Sequence, residues 1–170
     1  MAKLAFDYFI KKIRIKAPVK TVYESWCTSG GLESWFLKKA IFFRNAKELK
    51  PDELAKAGDR YTWQWHNWEP TESCEILEAN GKDWLLFSFG GNSKVSVKLE
   101  QLDNSTLVIL KQFDMPTDER TILEVHIGCS NGWTFWLTNL KAKLEYDIVL
   151  NEKEFDISGD PLAGWEFANI

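Results

Sequence analysis

The sequence predicts an α+β domain: a curved antiparallel sheet of about six to seven strands, two short helices, and a long C-terminal helix across the sheet. Three observations carry that expectation. From Phe9 onward, short runs alternate apolar and polar residues at period two, separated by proline, glycine or asparagine. After Phe113 the period becomes helical, with Trp133, Trp136, Leu137, Leu140, Leu144 and Ile148 on one stripe. The 170 residues are enough for one domain to bury a core without disulfides or metals.

Phe9–Ala17 reads as a half-buried first strand. Pro18 stops strand pairing and suits the first turn of a helix, in which Val19, Val22, Tyr23 and Trp26 recur at helical spacing. Gly30 and Gly31 are expected to end it, and Leu32–Phe36 to make one more short turn. A strand follows at Lys39–Arg44. Pro51–Leu54 reads as a brief helical turn, with proline first and carboxylates near its N-terminal dipole. Tyr61–Asn67 alternates strictly, placing Tyr61, Trp63 and Trp65 on one face and Thr62, Gln64 and His66 on the other, so His66 is expected to face solvent. Strands at Ser73–Glu78, Trp84–Phe89, Lys94–Leu99 and Thr106–Phe113 follow, joined at Asn80-Gly81, Gly90-Gly91-Asn92 and Asp103-Asn104. This is a meander of sequential hairpins.

Extending the helical stripe backwards at 3.6 residues per turn reaches Cys129, His126 and Ile122, which predicts one continuous helix from about Glu119 to Tyr146. Gly128 and Gly132 each cost about 1 kcal/mol relative to alanine inside it. The alternative is a helix capped at Ser130, with Ile122–Gly128 outside it. Phe135, Ala142 and Tyr146 form a second stripe that should point away from the sheet and need cover. The tail, with Phe155, Trp165 and Phe167, or the partner protomer of a homodimer, would supply it.

Composition narrows the function classes. The formal net charge is -4 and the basic residues are scattered, which argues against nucleic acid as a partner. No apolar stretch reaches the roughly 18 residues a membrane span requires, so no membrane partner is expected. Cys27, Cys74 and Cys129 are far apart and odd in number, which fits small buried hydrophobes in a reducing cytoplasm rather than a disulfide framework. The two histidines lie on different elements and give a metal site little support, and no cofactor is expected. Nine Trp and eleven Phe exceed what an ordinary core needs, and surplus aromatics line either a ligand cavity or an interface.

Several segments carry a family likeness: Ala17-Pro-Val-Lys-Thr-Val-Tyr-Glu-Ser-Trp26, Gly31-Leu-Glu-Ser-Trp-Phe36, Gly58-Asp-Arg-Tyr-Thr-Trp-Gln-Trp-His66 and, most specific, Gly132-Trp-Thr-Phe-Trp-Leu-Thr-Asn-Leu-Lys141. Together they resemble the START-like superfamily, also called SRPBCC, helix-grip or birch-pollen-allergen-like. Within it the chain is most similar to bacterial proteins related to the activator of the heat-shock-protein ATPase. The resemblance spans about Lys11 to Leu150, which implies a helix-grip domain over 1–150 and a C-terminal tail over 151–170. It also implies a cavity between sheet and long helix that binds apolar or amphipathic small molecules in many members. A chaperone partner is implied by the group's name alone.

The candidate ligand-binding residues are Trp63, Trp65, Phe87, Phe89, His126, Cys129, Trp133 and Trp136. Strand alternation and the helix stripe turn their side chains towards one another, either as a pocket wall or as a packed core. His126 would be one polar handle in an apolar cavity, or a satisfied structural histidine. Cys129, three residues on, would be a nucleophile or a buried small hydrophobe, with no third member of a catalytic set in evidence. No phosphate loop, nucleophile elbow or Ser-His-Asp order occurs. The sequence therefore favours a binding module for an apolar or amphipathic small molecule over two alternatives: a cyclase- or hydrolase-like enzyme with His126 as base, and a chaperone-interacting module.

Overall fold

A computed structural model describes residues 6–67, 71–155, 157, 159, 160 and 162–170. The elements, in chain order, are β1 (Tyr8–Ile15), α1 (Val19–Cys27), α2 (Ser29–Trp35), β2 (Lys39–Arg44), β3 (Lys47–Glu48), β4 (Arg60–Gln64), β5 (Thr71–Ala79), β6 (Trp84–Phe89), β7 (Ser93–Leu102) and β8 (Ser105–Phe113). The helical segments α3 (Glu119–Thr121), a π-helix (Ile122–Ile127), α4 (Gly128–Tyr146) and α5 (Ala163–Glu166) complete the set. The strands form one antiparallel sheet in the order β1-β8-β7-β6-β5-β4-β2-β3, so the first strand closes back on the last of the meander. This is the α+β helix-grip architecture expected from the sequence.

The sheet has one strand more than expected, because β3 is two residues long and too short to show alternation. Asn45 and Ala46 make the link to it with positive φ angles of 51° and 60°, the left-handed backbone that a two-residue hairpin loop requires. Curvature has a local source in β5, where the register against β6 shifts between Ile76 and Glu78 and leaves Leu77 as a bulge. The expected turn at Asn80-Gly81 is present. The Asn80 Oδ1 accepts hydrogen bonds from the backbone N–H groups of Lys82, Asp83 and Trp84.

The two glycines after α1 do not end it. Thr28, with extended backbone, separates the helices and caps α2 by accepting the Gly31 N–H at 2.9 Å. Gly30 and Gly31 lie in the first turn of α2, and a Cβ on Gly31 would come within 2.4 Å of the Glu24 carbonyl oxygen. The glycine is therefore needed for the close approach of α2 to α1. Pro51–Leu54 forms turns but no helix, and Glu53 bonds Arg44 at 2.6 Å instead. Arg44 also holds the buried Asp59 carboxylate at 2.9 and 2.7 Å.

The long helix is continuous from Glu119 to Tyr146, and the alternative start at Ser130 does not occur. Asp118 caps it by accepting from Thr121 N–H at 3.1 Å and Thr121 Oγ1 at 2.6 Å, and Asp147 ends it in the left-handed region. Its first half departs from expectation, because Ile122–Ile127 is wound as a π-helix. The wider i→i+5 turn shifts the phase of the stripe that 3.6-residue spacing had extended back to His126 and Ile122. Further along, Lys141 Nζ donates to the Arg14 carbonyl at 2.8 Å and Glu145 accepts from Lys16 N–H at 2.8 Å. These bonds pin α4 along the free edge of β1 and cover part of it.

Candidate functional site

Sheet alternation and the α4 stripe bring the inward aromatics together. Trp136 is the hub: its ring stacks on Phe36 at 3.9 Å and on Trp26 at 5.8 Å, and meets Trp35 at 5.3 Å and Trp63 at 5.5 Å. Trp133 lies 5.0 Å from Phe89 and 6.3 Å from Phe87. Trp26, Trp35, Trp63 and Phe87 are buried. The space directly between the middle of the sheet and α4 is therefore filled by rings, whose offset and edge-on contacts add to their area burial.

Open volume lies beside α4 instead. A groove of about 610 Å³ runs along Gly128, Gly132 and Phe135, with Trp65 and Phe89 at the sheet end and Phe167 and Ile170 of the tail across it. That volume lies within the roughly 300–1,000 Å³ typical of small-molecule sites. The two glycines make the room: a Cβ added at Gly128 or Gly132 meets no atom within 4 Å. Phe135 does not point away from the body of the protein, since it is half-buried with its ring 5.4 Å from Phe36. Tyr146 stays exposed, so the tail covers only the Phe135 end of the second stripe.

Asn139, fully buried, holds the start of the tail. Its Nδ2 donates to the Trp35 carbonyl at 2.6 Å and to Asn151 Oδ1, and its Oδ1 accepts from Leu150 N–H at 2.7 Å. Further on, Glu152 N–H donates to the Asn169 carbonyl at 2.8 Å, and Asn67 Nδ2 donates to the Glu152 carbonyl at 2.7 Å. The end of the chain is thus tied back over the groove. The side chain of Trp165 lies outside the described residues.

Below the groove, Trp133 Nε1 donates to the buried Gln112 Oε1 at 2.8 Å, and Gln112 Nε2 donates to Ser93 Oγ at 2.9 Å. Burial pushes the Cys129 thiol up from its ordinary value, against an opposing hydrogen bond with Gln112. At neutral pH Cys129 is a protonated thiol, which is not the nucleophilic form.

A family model described as "Activator of Hsp90 ATPase homolog 1-like protein" matches residues 16–145. The chain belongs to that family. Solved structures with the same fold include SSP2350 from Staphylococcus saprophyticus, at 18% identity and TM-score 0.66, covering 84% of this chain and 94% of that one. MLL2253 from Mesorhizobium loti is similar at 18% identity and TM-score 0.66, covering 84% and 99%. The Aha1 dimer from Colwellia psychrerythraea is similar at 18% identity and TM-score 0.64, covering 82% and 96%. No curated protein matches the sequence.

In this family member the eight candidate residues divide into three places. Trp65, Phe89, Cys129, Trp133 and Trp136 line the groove. Trp63 and Phe87 pack behind that wall. His126 lies elsewhere: its ring meets Phe6 at 5.2 Å and Phe9 at 5.3 Å edge-on, and its Nε2 lies 3.3 Å from the Tyr8 carbonyl. The π-helix turns it to the edge of β1. His66 also departs from expectation, because β4 ends at Gln64 and the strand alternation ends with it. It is half-buried, and burial together with Lys153 and Lys38 lowers its pKa. Among the described residues no three His, Cys, Asp or Glu side chains cluster as a metal site, and no helix is long and apolar enough to cross a membrane.

Sequence reasoning missed Asn139 and Gln112, and it left open whether the tail or a partner protomer covers Phe135. A polar residue on the apolar stripe side of a helix, three residues after Trp136, was a signal for Asn139. Gln112 had a similar one, as a lone amide on the buried register of β8, beside Leu110 and Val108.

Proposed function

We propose that this chain is a small-molecule-binding module that holds an apolar or amphipathic ligand in the groove beside α4. The observation that carries this reading is the open volume of about 610 Å³ against Trp65, Phe89, Trp133, Phe135 and Trp136. Membership of a family with the helix-grip fold supports it. Trp65, Phe89, Trp133 and Trp136 contact the ligand, Cys129 adds a neutral surface, and Trp63 and Phe87 keep the wall rigid from behind. The protonated Cys129 and the placement of His126 at the β1 edge favour binding over catalysis in the groove. The test is titration with the neutral fluorescent probe N-phenyl-1-naphthylamine. A saturable one-site enhancement, weakened about tenfold in a folded Gly132→Leu variant, is expected. Unsaturable binding, or binding unchanged by that substitution, refutes the reading.

A further inference from the structure

The side chains around the groove are unequal in charge and in hydrogen-bonding capacity. None of the described lining residues is Lys, Arg or His, and Glu166 is the one carboxylate side chain among them. It makes no ion pair with the described residues. The hydroxyl protons on the α4 wall are already committed, because Thr134 Oγ1 donates to the Ser130 carbonyl and Thr138 Oγ1 to the Thr134 carbonyl, both at 2.8 Å. The Trp133 N–H is held by Gln112 in the same way. What remains for a ligand are hydroxyl lone pairs, one carboxylate and the partly open rings of Trp65 and Phe89, all of which attract positive charge, together with the Asn131 amide, which can serve a head of either sign. Indole faces carry the negative side of the ring quadrupole, and a desolvated cation over one gains more than at an exposed site. An anionic head placed there would lose its water and meet no cation among the described lining residues.

Resting on the groove proposed above, we infer that its ligand is an amphiphile with a cationic head: an organic ammonium joined to an apolar body. The apolar part lies against Gly128, Gly132 and Phe135, and the ammonium lies against the partly open Trp65 ring, with Glu166 lining the same groove. Head-group sign, rather than chain length alone, then sets which amphiphiles the site accepts.

The test compares three probes of equal chain length, each below its micellar concentration: decyltrimethylammonium, decan-1-ol and decanoate. Calorimetric titration of the full chain should rank decyltrimethylammonium first, by about tenfold or more over decanoate. Glu166→Gln, at an exposed position, should narrow that preference by roughly threefold. Gly132→Leu should weaken all three. Equal or tighter binding of decanoate, or a preference unchanged in Glu166→Gln, overturns the cationic-head inference. In either case, weaker decan-1-ol binding in Gly132→Leu still supports the groove. Failure of all three probes to bind overturns both proposals.

Discussion

Replacing Gly132 by leucine should make the protein more stable and a poorer binder at once. Gly132 lies in the interior of α4, is exposed, and has no atom within 4 Å of an added Cβ. Removing a helix-interior glycine is worth about 1 kcal/mol. Partial burial of the new side chain against Phe135 and Trp136 raises the total to roughly 1–2 kcal/mol. The same atoms occupy the groove, so affinity for N-phenyl-1-naphthylamine should fall by about tenfold, equivalent to some 1.4 kcal/mol of lost binding. Urea unfolding followed by tryptophan fluorescence measures the first effect, with an unchanged m value showing that the same surface is exposed. Gly31→Ala is the control for crowding, since its Cβ would press on the Glu24 carbonyl and destabilise the protein. A Gly132→Leu protein that is less stable than the parent, or that binds the probe as tightly, would refute the claim that this space is open and used.

Trp63→Ala should cost about 3–5 kcal/mol in urea unfolding, as a large buried ring is lost. Its probe affinity should stay within about threefold of the parent, well under the 1.4 kcal/mol of a tenfold change; lost binding in still-folded protein would make Trp63 part of the wall. Asn139→Ala leaves the Leu150 N–H and the Trp35 carbonyl without this partner, at roughly 1–3 kcal/mol. It should speed hydrogen exchange and proteolysis after residue 147, and unchanged rates would show that the tail is held by other means. The Glu145 carboxyl is held below its ordinary value of 4.5, first by the hydrogen bond from Lys141 and also by the Lys16 N–H. A depressed folded pKa stabilises above the unfolded value and is lost as pH falls through the folded one. Stability should therefore drop below about pH 4.5, and Glu145→Gln should flatten that part of the acid unfolding profile. An identical profile in the variant would remove Glu145 from the account.

The fold was legible because most of its elements announce themselves at one period. Lys39–Arg44 and Trp84–Phe89 matched residue for residue, since alternation and flanking turn residues set both ends. What was lost was lost for local reasons. The π-helix moved His126 off the stripe, and no side-chain pattern distinguishes a 3.6-residue turn from a wider one over six residues. Gly30 and Gly31 looked like a helix end because their reason, contact with α1, is tertiary. At the site, the pairing of sheet and helix aromatics could be read from the sequence. Which rings would be wall and which core depended on where empty space fell, and sequence periodicity carries no volume. The tail was read as one of two covers for the Phe135 stripe, and only the structure puts Phe167 on the same groove as Phe135.

Three features meet on one side of α4, and two of them oppose stability when taken alone. Gly128 and Gly132 together forgo about 2 kcal/mol of helix propensity. The tail gives up backbone entropy to lie across the groove, at roughly 1–2 kcal/mol per fixed residue. Asn139 is fully buried, and its side-chain bonds hold the start of that tail. Alanines at the two glycines would close the same fold more firmly beside Trp136. The matched family residues end at 145, so the tail residues that line the groove lie outside the family match. Glycines that cost helix propensity and a tail that costs backbone entropy, converging on one aromatic-lined volume, support the binding groove proposed above.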